Sequence, residues 1–143
     1  MTTSQFEIEI QASIEEVWFA LTNSEAFNSW MKNVRVETDW KQGADITYTC
    51  YDERGAVLQW NGMDMIWQGN IKTINMNKEL TCVYPSQRTG LVEESYLLEK
   101  MDADKTKLRQ LQTFISKEVA DGYGEGTAMT LELLKNHLKK NKI

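Results

Sequence analysis

Gly126-Thr127-Ala128-Met129-Thr130-Leu131-Glu132-Leu133-Leu134-Lys135-Asn136-His137-Leu138 is the stretch that decides how the chain is read. Thr127, Leu131, Leu134 and Leu138 recur at the spacing of one α-helical stripe, and Met129 and Leu133 make a second apolar row beside it. No Gly or Pro interrupts the run after Gly126. Lys135, Lys139, Lys140 and Lys142 complement a helix C-terminus, and Glu125 suits the opposite pole. A helix of this kind is marginal alone in water, so its stripe needs a partner surface.

The residues before it supply one, because their period is two. Phe6-Glu7-Ile8-Glu9-Ile10-Gln11 alternates as a half-buried strand. Ser13-Ile14-Glu15-Glu16 is a capping box, and Ile14, Val17, Trp18 and Leu21 follow at helical spacing. Thr22-Asn23-Ser24-Glu25 repeats the capping pattern before a second short helix carrying Ala26, Phe27 and Trp30. Residues 34–40 and 44–51 read as strands, with Ile46, Tyr48 and Cys50 on one face. Trp67, Gly69, Ile71 and Thr73 share a face against Gln68, Asn70 and Lys72. Leu80-Cys82-Tyr84, Tyr96-Leu98 and residues 108–114 complete the strands. The fold class is therefore α+β, an antiparallel sheet of about six to seven strands around one long C-terminal helix. Two short helices follow the first strand. A sheet that wraps a helix must curve, and Gly62 and Gly69 are places for it to bend.

Residues 1–143 fit one domain, with 41% hydrophobic and 26% charged residues, a soluble globular balance. A net charge of −5 argues against nucleic acid, and the second capped helix is spent on burial rather than on a DNA groove. No apolar run reaches the length of a membrane span and no signal segment opens the chain, so the cytoplasm is the default. Cys50 and Cys82 read as free thiols on strands. With one histidine, His137, no zinc cluster and no Ser-His-Asp set is available, so neither metal, cofactor nor catalytic residue is expected.

The stretch Ala12-Ser13-Ile14-Glu15-Glu16-Val17-Trp18-Phe19-Ala20-Leu21-Thr22-Asn23, with Trp30 after it, resembles the N-terminal signature of AHSA-like domains. These are homologues of the ATPase activator of the ninety-kilodalton heat-shock chaperone, within the START-related SRPBCC superfamily. Gly69-Asn70-Ile71-Lys72-Thr73-Ile74 with Leu80 and Tyr84, then Thr106-Lys107-Leu108, then Leu131, Leu134-Lys135 and Leu138, continue the resemblance in register. It implies a helix-grip fold, shared with the birch-pollen allergen, and a cavity for a ligand. Two positions depart from the family: Thr127 stands where a Trp is frequent, and Met76-Asn77 where a Pro is.

The candidate ligand cavity comprises Ile46, Tyr48, Trp67, Ile71, Tyr84, Tyr96, Leu98 and Leu108, facing Thr127, Leu131 and Leu134, with Trp60 and Met65 over one mouth. Gln110 is a candidate contact, whereas Gln112 is read as exposed through a slipped register. Glu93 and Glu94 are read at strand ends, where adjacent residues face opposite sides and cannot pair. Asp102 and Asp104 are turn residues. The expected function is non-catalytic binding of a small hydrophobic molecule, lipid-like or aromatic. The alternative is an interaction module that binds a chaperone or a second copy through Leu58, Trp60, Met63, Met65, Ile66 and Trp67. A cyclase- or hydrolase-type enzyme ranks last.

Overall fold

The computed structural model describes residues 1–139 in full and the backbone of Lys140. Lys142 and the side chain of Lys140, read above as cations at the helix C-terminus, lie outside the described residues. The alternating N-terminus forms β1 (Thr2–Ile10), ending on the fully buried Ile10. Helix α1 (Ile14–Thr22) starts at the capping box: Glu16 N donates to Ser13 Oγ at 3.2 Å and Ser13 N to Glu16 Oε1 at 3.1 Å. For α2 (Ser24–Trp30) the cap is Asn23, one residue later than Thr22, with Asn23 Oδ1 accepting from Ala26 N at 3.0 Å. Thr22 instead ends α1, its hydroxyl donating to the Trp18 carbonyl.

Eight further strands follow among the described residues: β2 (Val34–Thr38), β3 (Asp45–Cys50), β4 (Gln59–Trp60), β5 (Met63–Asp64), β6 (Ile66–Asn75), β7 (Glu79–Val83), β8 (Leu91–Asp102) and β9 (Lys105–Phe114). The long helix is α3 (Lys117–Lys140). Seven strands form one antiparallel sheet in the order β1-β9-β8-β7-β6-β3-β2. The fold is α+β, with two short helices after the first strand and α3 laid over β1 and β9. No described helix is long and apolar enough to cross a membrane.

Three expectations change. The stretch around Trp60 is not a cover over the interior but a separate hairpin, β4–β5, and Trp60 is 65% exposed on it. Asn61 (φ 52) and Gly62 (φ 76) turn that hairpin, a left-handed pair that Asn-Gly favours, so Gly62 does not bend the main sheet. The main sheet bends where the register of β6 against β7 shifts between Ile71 and Thr73. Past that bulge Thr73 pairs with Thr81 and Ile74 with Leu80, so Ile74 rather than Thr73 joins the core.

Helix α3 also begins at Lys117 rather than Gly126. Ser116 starts it, its Oγ accepting from Val119 N and its carbonyl from Ala120 N. The stripe toward the sheet therefore gains Ala120 and Tyr123 ahead of the buried Thr127, Leu131, Leu134 and Leu138. Met129 and Leu133 are 63% and 50% exposed, because α3 meets the sheet on one side only and the second row turns away. Gly122, Gly124 and Gly126 concealed the first three turns, since helical Gly costs about 1 kcal/mol relative to Ala.

Gly69 is required by close approach. A Cβ there would run into the Val83 carbonyl and the Tyr84 ring, whose partner strand lies against it. Gly69→Ala is expected to cost about 1–3 kcal/mol by overpacking, read as a lowered midpoint in urea; an unchanged midpoint would show that β6 and β7 can separate freely.

Candidate functional site

Register fixes what meets on the concave face. Cys82, Glu94 and Gln112 lie side by side across β7, β8 and β9, and Leu80, Tyr96 and Gln110 form the next row. Each row alternates with outward residues, so both glutamines and Glu94 point under α3. Gln110 and Gln112 are 3% and 4% exposed; Gln112 does not slip outward, because β9 pairs without interruption with β1. Glu94 sits mid-strand in β8 rather than at a strand end. Period two from Tyr96 and Leu98 places it inward, the signal that a strand starting later would hide.

These polar groups form one chain of hydrogen bonds. Gln110 Nε2 and Gln112 Nε2 both donate to Glu94 Oε2, at 2.9 and 2.8 Å. Thr127 Oγ1 donates to Gln112 Oε1 at 2.9 Å, tying α3 to the sheet. Gln110 Nε2 also reaches the Tyr96 hydroxyl at 3.4 Å. Among the described residues Gln110 Oε1 is the one buried side-chain oxygen or nitrogen without a partner.

The surroundings are aromatic, with Tyr48 and Tyr84 buried and Glu94 and Tyr96 half-buried. Burial, with the nearby Glu94 charge adding to it, raises the phenols of Tyr84 and Tyr96 well above their ordinary range; Tyr48 is raised chiefly by burial. The Cys82 thiol is pushed up to about 12, first by burial and then by Glu94. Both cysteines are free. Burial also raises Glu94 itself, and the two amides pull it part of the way back. The Phe27 ring closes the α2 side, 5.5 Å from Tyr48 centroid to centroid.

The sequence-predicted residues divide by place. Ile46, Tyr48, Ile71, Tyr84, Leu98, Leu108, Gln110, Thr127, Leu131 and Leu134 are all buried, while Trp67 and Tyr96 are half-buried against the same core. Met65 is half-buried in the segment between β5 and β6, and Trp60 stands apart on the hairpin. Tyr123, missed in the sequence, bolts the side of the interior: its hydroxyl donates to the Thr89 carbonyl at 2.9 Å and accepts from Trp67 Nε1 at 3.3 Å. Beside that bolt a crevice of about 10 Å³, lined in part by Trp67, Tyr84 and Thr89, is the size of one water.

A larger surface hollow of about 490 Å³ lies between the hairpin, β6 and Arg88. Neither Glu94 nor any of the three inner tyrosines borders it. Arg88 spans its wall, donating through Nη2 to the carbonyls of Asp64 and Ile66 at 2.8 and 2.6 Å. Asp64 accepts from Gln59, and Asp102 closes its own turn by accepting from Asp104 N. His137 lies near the far end of α3, its Nε2 3.4 Å from Ser29 Oγ. No group of three or more His, Cys, Asp or Glu among the described residues is placed to hold a metal.

The sequence profile of the family described as Activator of Hsp90 ATPase homolog 1-like protein matches residues 11–139. No curated protein matches the sequence. Among solved structures the chain is similar to a protein from Nitrosomonas europaea, at 15% identity and a TM-score of 0.76, covering 98% of this chain and 96% of that one. It is similar to the Aha1 dimer from Colwellia psychrerythraea, at 21% identity and a TM-score of 0.71 over the whole of both chains. It also resembles the di-domain ARO/CYC BexL of the BE-7585A biosynthetic pathway, at 12% identity and a TM-score of 0.76, covering 97% of this chain and 47% of that one. At these identities the likenesses show a shared fold.

The Glu94 environment carries a pH signature. A carboxyl raised in the fold stabilises it while protonated, fully below the ordinary carboxylate range, and loses that contribution as pH rises through the raised value. Glu94→Gln keeps the neutral form throughout. Its melting temperature is expected to match wild type near pH 4 and to exceed it by about 4 °C at pH 8; a constant difference at both pH values would mean that Glu94 is not destabilising when ionised.

Proposed function

The chain belongs to the family of Activator of Hsp90 ATPase homolog 1-like proteins, and from that premise we propose that it binds a small apolar molecule between the sheet and α3 without transforming it. The observation that carries this reading is Glu94, a carboxylate set among aromatic rings with two amides and, among the described residues, no ion-paired cation beside it. A structural core is not helped by such a group, since even a half-buried charge without a counterion is unfavourable and an apolar side chain of similar size serves packing better. Polar groups converging in an apolar interior are what a site for a small molecule requires.

Access is consistent with the same reading. The first turns of α3 contain Gly122, Gly124 and Gly126, and at none of the three does packing forbid a side chain. Those turns hold Tyr123, so a weakly helical segment carries the bolt that closes the interior. Catalysis has thinner support, because one carboxylate held by amides lacks an acid–base partner. Cytoplasmic location belongs to the same proposal.

A second reading has its own observation. Met129 and Leu133, one turn apart on α3, are exposed by half or more, and the similar Colwellia protein is described as a dimer. A protein partner, either a second copy or a chaperone, would cover that row. Light scattering at two concentrations distinguishes the self-association arm: a dimer that Leu133→Glu dissolves supports it, and a monomer at both concentrations removes it.

Native mass spectrometry of the purified protein, with release of any bound molecule, tests the binding reading directly. Titration with N-phenyl-1-naphthylamine is expected to saturate at one per chain. Thr127→Trp, which fills the interior beside Gln112, is expected to weaken it at least about tenfold while the circular dichroism stays native. An unchanged affinity would put the probe elsewhere. Tyr123→Phe removes the bolt and is expected to speed association several-fold in stopped flow.

A further inference from the structure

Gln110 is 3% exposed, and its carbonyl oxygen alone among the buried side-chain polar atoms of the described residues meets no donor. Its orientation is fixed by its neighbours. Nε2 points at Glu94 Oε2, 2.9 Å away, and at the Tyr96 hydroxyl. Turning the amide over would set its oxygen against that carboxylate, so Oε1 must face away. The matching oxygen on Gln112 is satisfied, because Thr127 spends its proton there. At the centre of the interior, then, a carboxylate and an unmet carbonyl stand together, with both Gln110 amide protons directed at Glu94 and Tyr96.

Resting on the binding reading above, we propose that the molecule held between sheet and α3 presents a hydrogen-bond donor, a hydroxyl or an amine, to Gln110 Oε1 and carries no acid group. A donor brought there satisfies an acceptor that the folded protein leaves unmet, and a buried acceptor without a donor is penalised in full. An acid head would set a second anion beside Glu94 in surroundings that screen charge poorly. The phenols of Tyr48 and Tyr84 do not change this balance, since a hydroxyl rotates to donate or accept. The chemical class is therefore an apolar alcohol, phenol or amine, which excludes the free fatty acids that an unqualified lipid site would admit.

Isothermal titration at pH 7.5 with 1-naphthol, 1-methoxynaphthalene, naphthalene and 1-naphthoate isolates the head group on one ring. The expected result is 1-naphthol binding at least about tenfold tighter than its methyl ether, with 1-naphthoate weakest. Gln110→Leu is expected to bring naphthol and ether within about twofold, and Glu94→Gln to recover part of the naphthoate binding. The series on the unaltered protein decides the question even where a variant does not fold. Equal affinity for naphthol and ether, or preference for naphthoate, would overturn the donor proposal and leave the site standing. Failure of all four to bind would overturn the binding reading and this inference together.

Discussion

A helix whose inner stripe runs Ala120, Tyr123, Thr127, Leu131, Leu134 and Leu138 must cover that stripe, and here the sheet covers it from one flank. Helix α3 lies over β1 and β9, α1 over β8 and β9, and α2 against β2, while Tyr48 of β3 meets Phe27 and Trp67 of β6 meets Tyr123. The lower half of the stripe is plain packing, with Leu134 fully buried and Leu131 and Leu138 nearly so. The upper half is different in kind. There the inward residues are Thr127 and Tyr123, and both use hydroxyls to reach the sheet and its loop.

That change along one helix separates a structural end from a polar one. At the polar end Thr127, Gln112, Glu94 and Gln110 are linked in sequence, each partner set by strand register. Enclosure strengthens every bond in such a chain and equally makes any unmet atom costly. The same enclosure raises the phenols of Tyr48, Tyr84 and Tyr96, the Cys82 thiol and the Glu94 carboxyl, the last held back by its two amide donors. A carboxylate beside a thiol and three phenols in one aromatic interior is an assembly that packing alone does not call for.

The bulge in β6 connects fold to site. Before it, Trp67, Gly69 and Ile71 face inward; after it Ile74 takes over, and the sheet turns. Gly69 lets the Tyr84 ring press close to β6, and Trp67 then stands where it can reach Tyr123. Surface charge plays a smaller part. The pairs Glu9–Lys105 and Glu7–Lys107 tie β1 to β9 on the outer face, where solvent leaves ion pairs little net effect.

By itself the sequence determined the α+β class, the capping box at Ser13, the inward rows from Ile46 to Tyr84 and the stripe from Thr127 to Leu138, because each depends on a local period or a local cap. The family resemblance rested on those same local patterns. Glu94 was legible too, two residues before Tyr96, once β8 is known to start at Leu91 rather than near Tyr96. What the sequence could not contain was decided by partners distant along the chain. Gln112 is inside because β1 locks the register of β9, and Thr73 lies off the inward row because a bulge opposite β7 pairs it with Thr81 and Ile74 with Leu80. Trp60 is outside because its two strands pair with each other rather than with the sheet. Helix α3 extends through three glycines because Tyr123 and Ala120 find the interior and tertiary contact outweighs a propensity cost of about 1 kcal/mol per glycine. The unmet oxygen of Gln110 exists only in three dimensions, for it takes Glu94 on one strand and Gln110 on the next to fix which way the amide points.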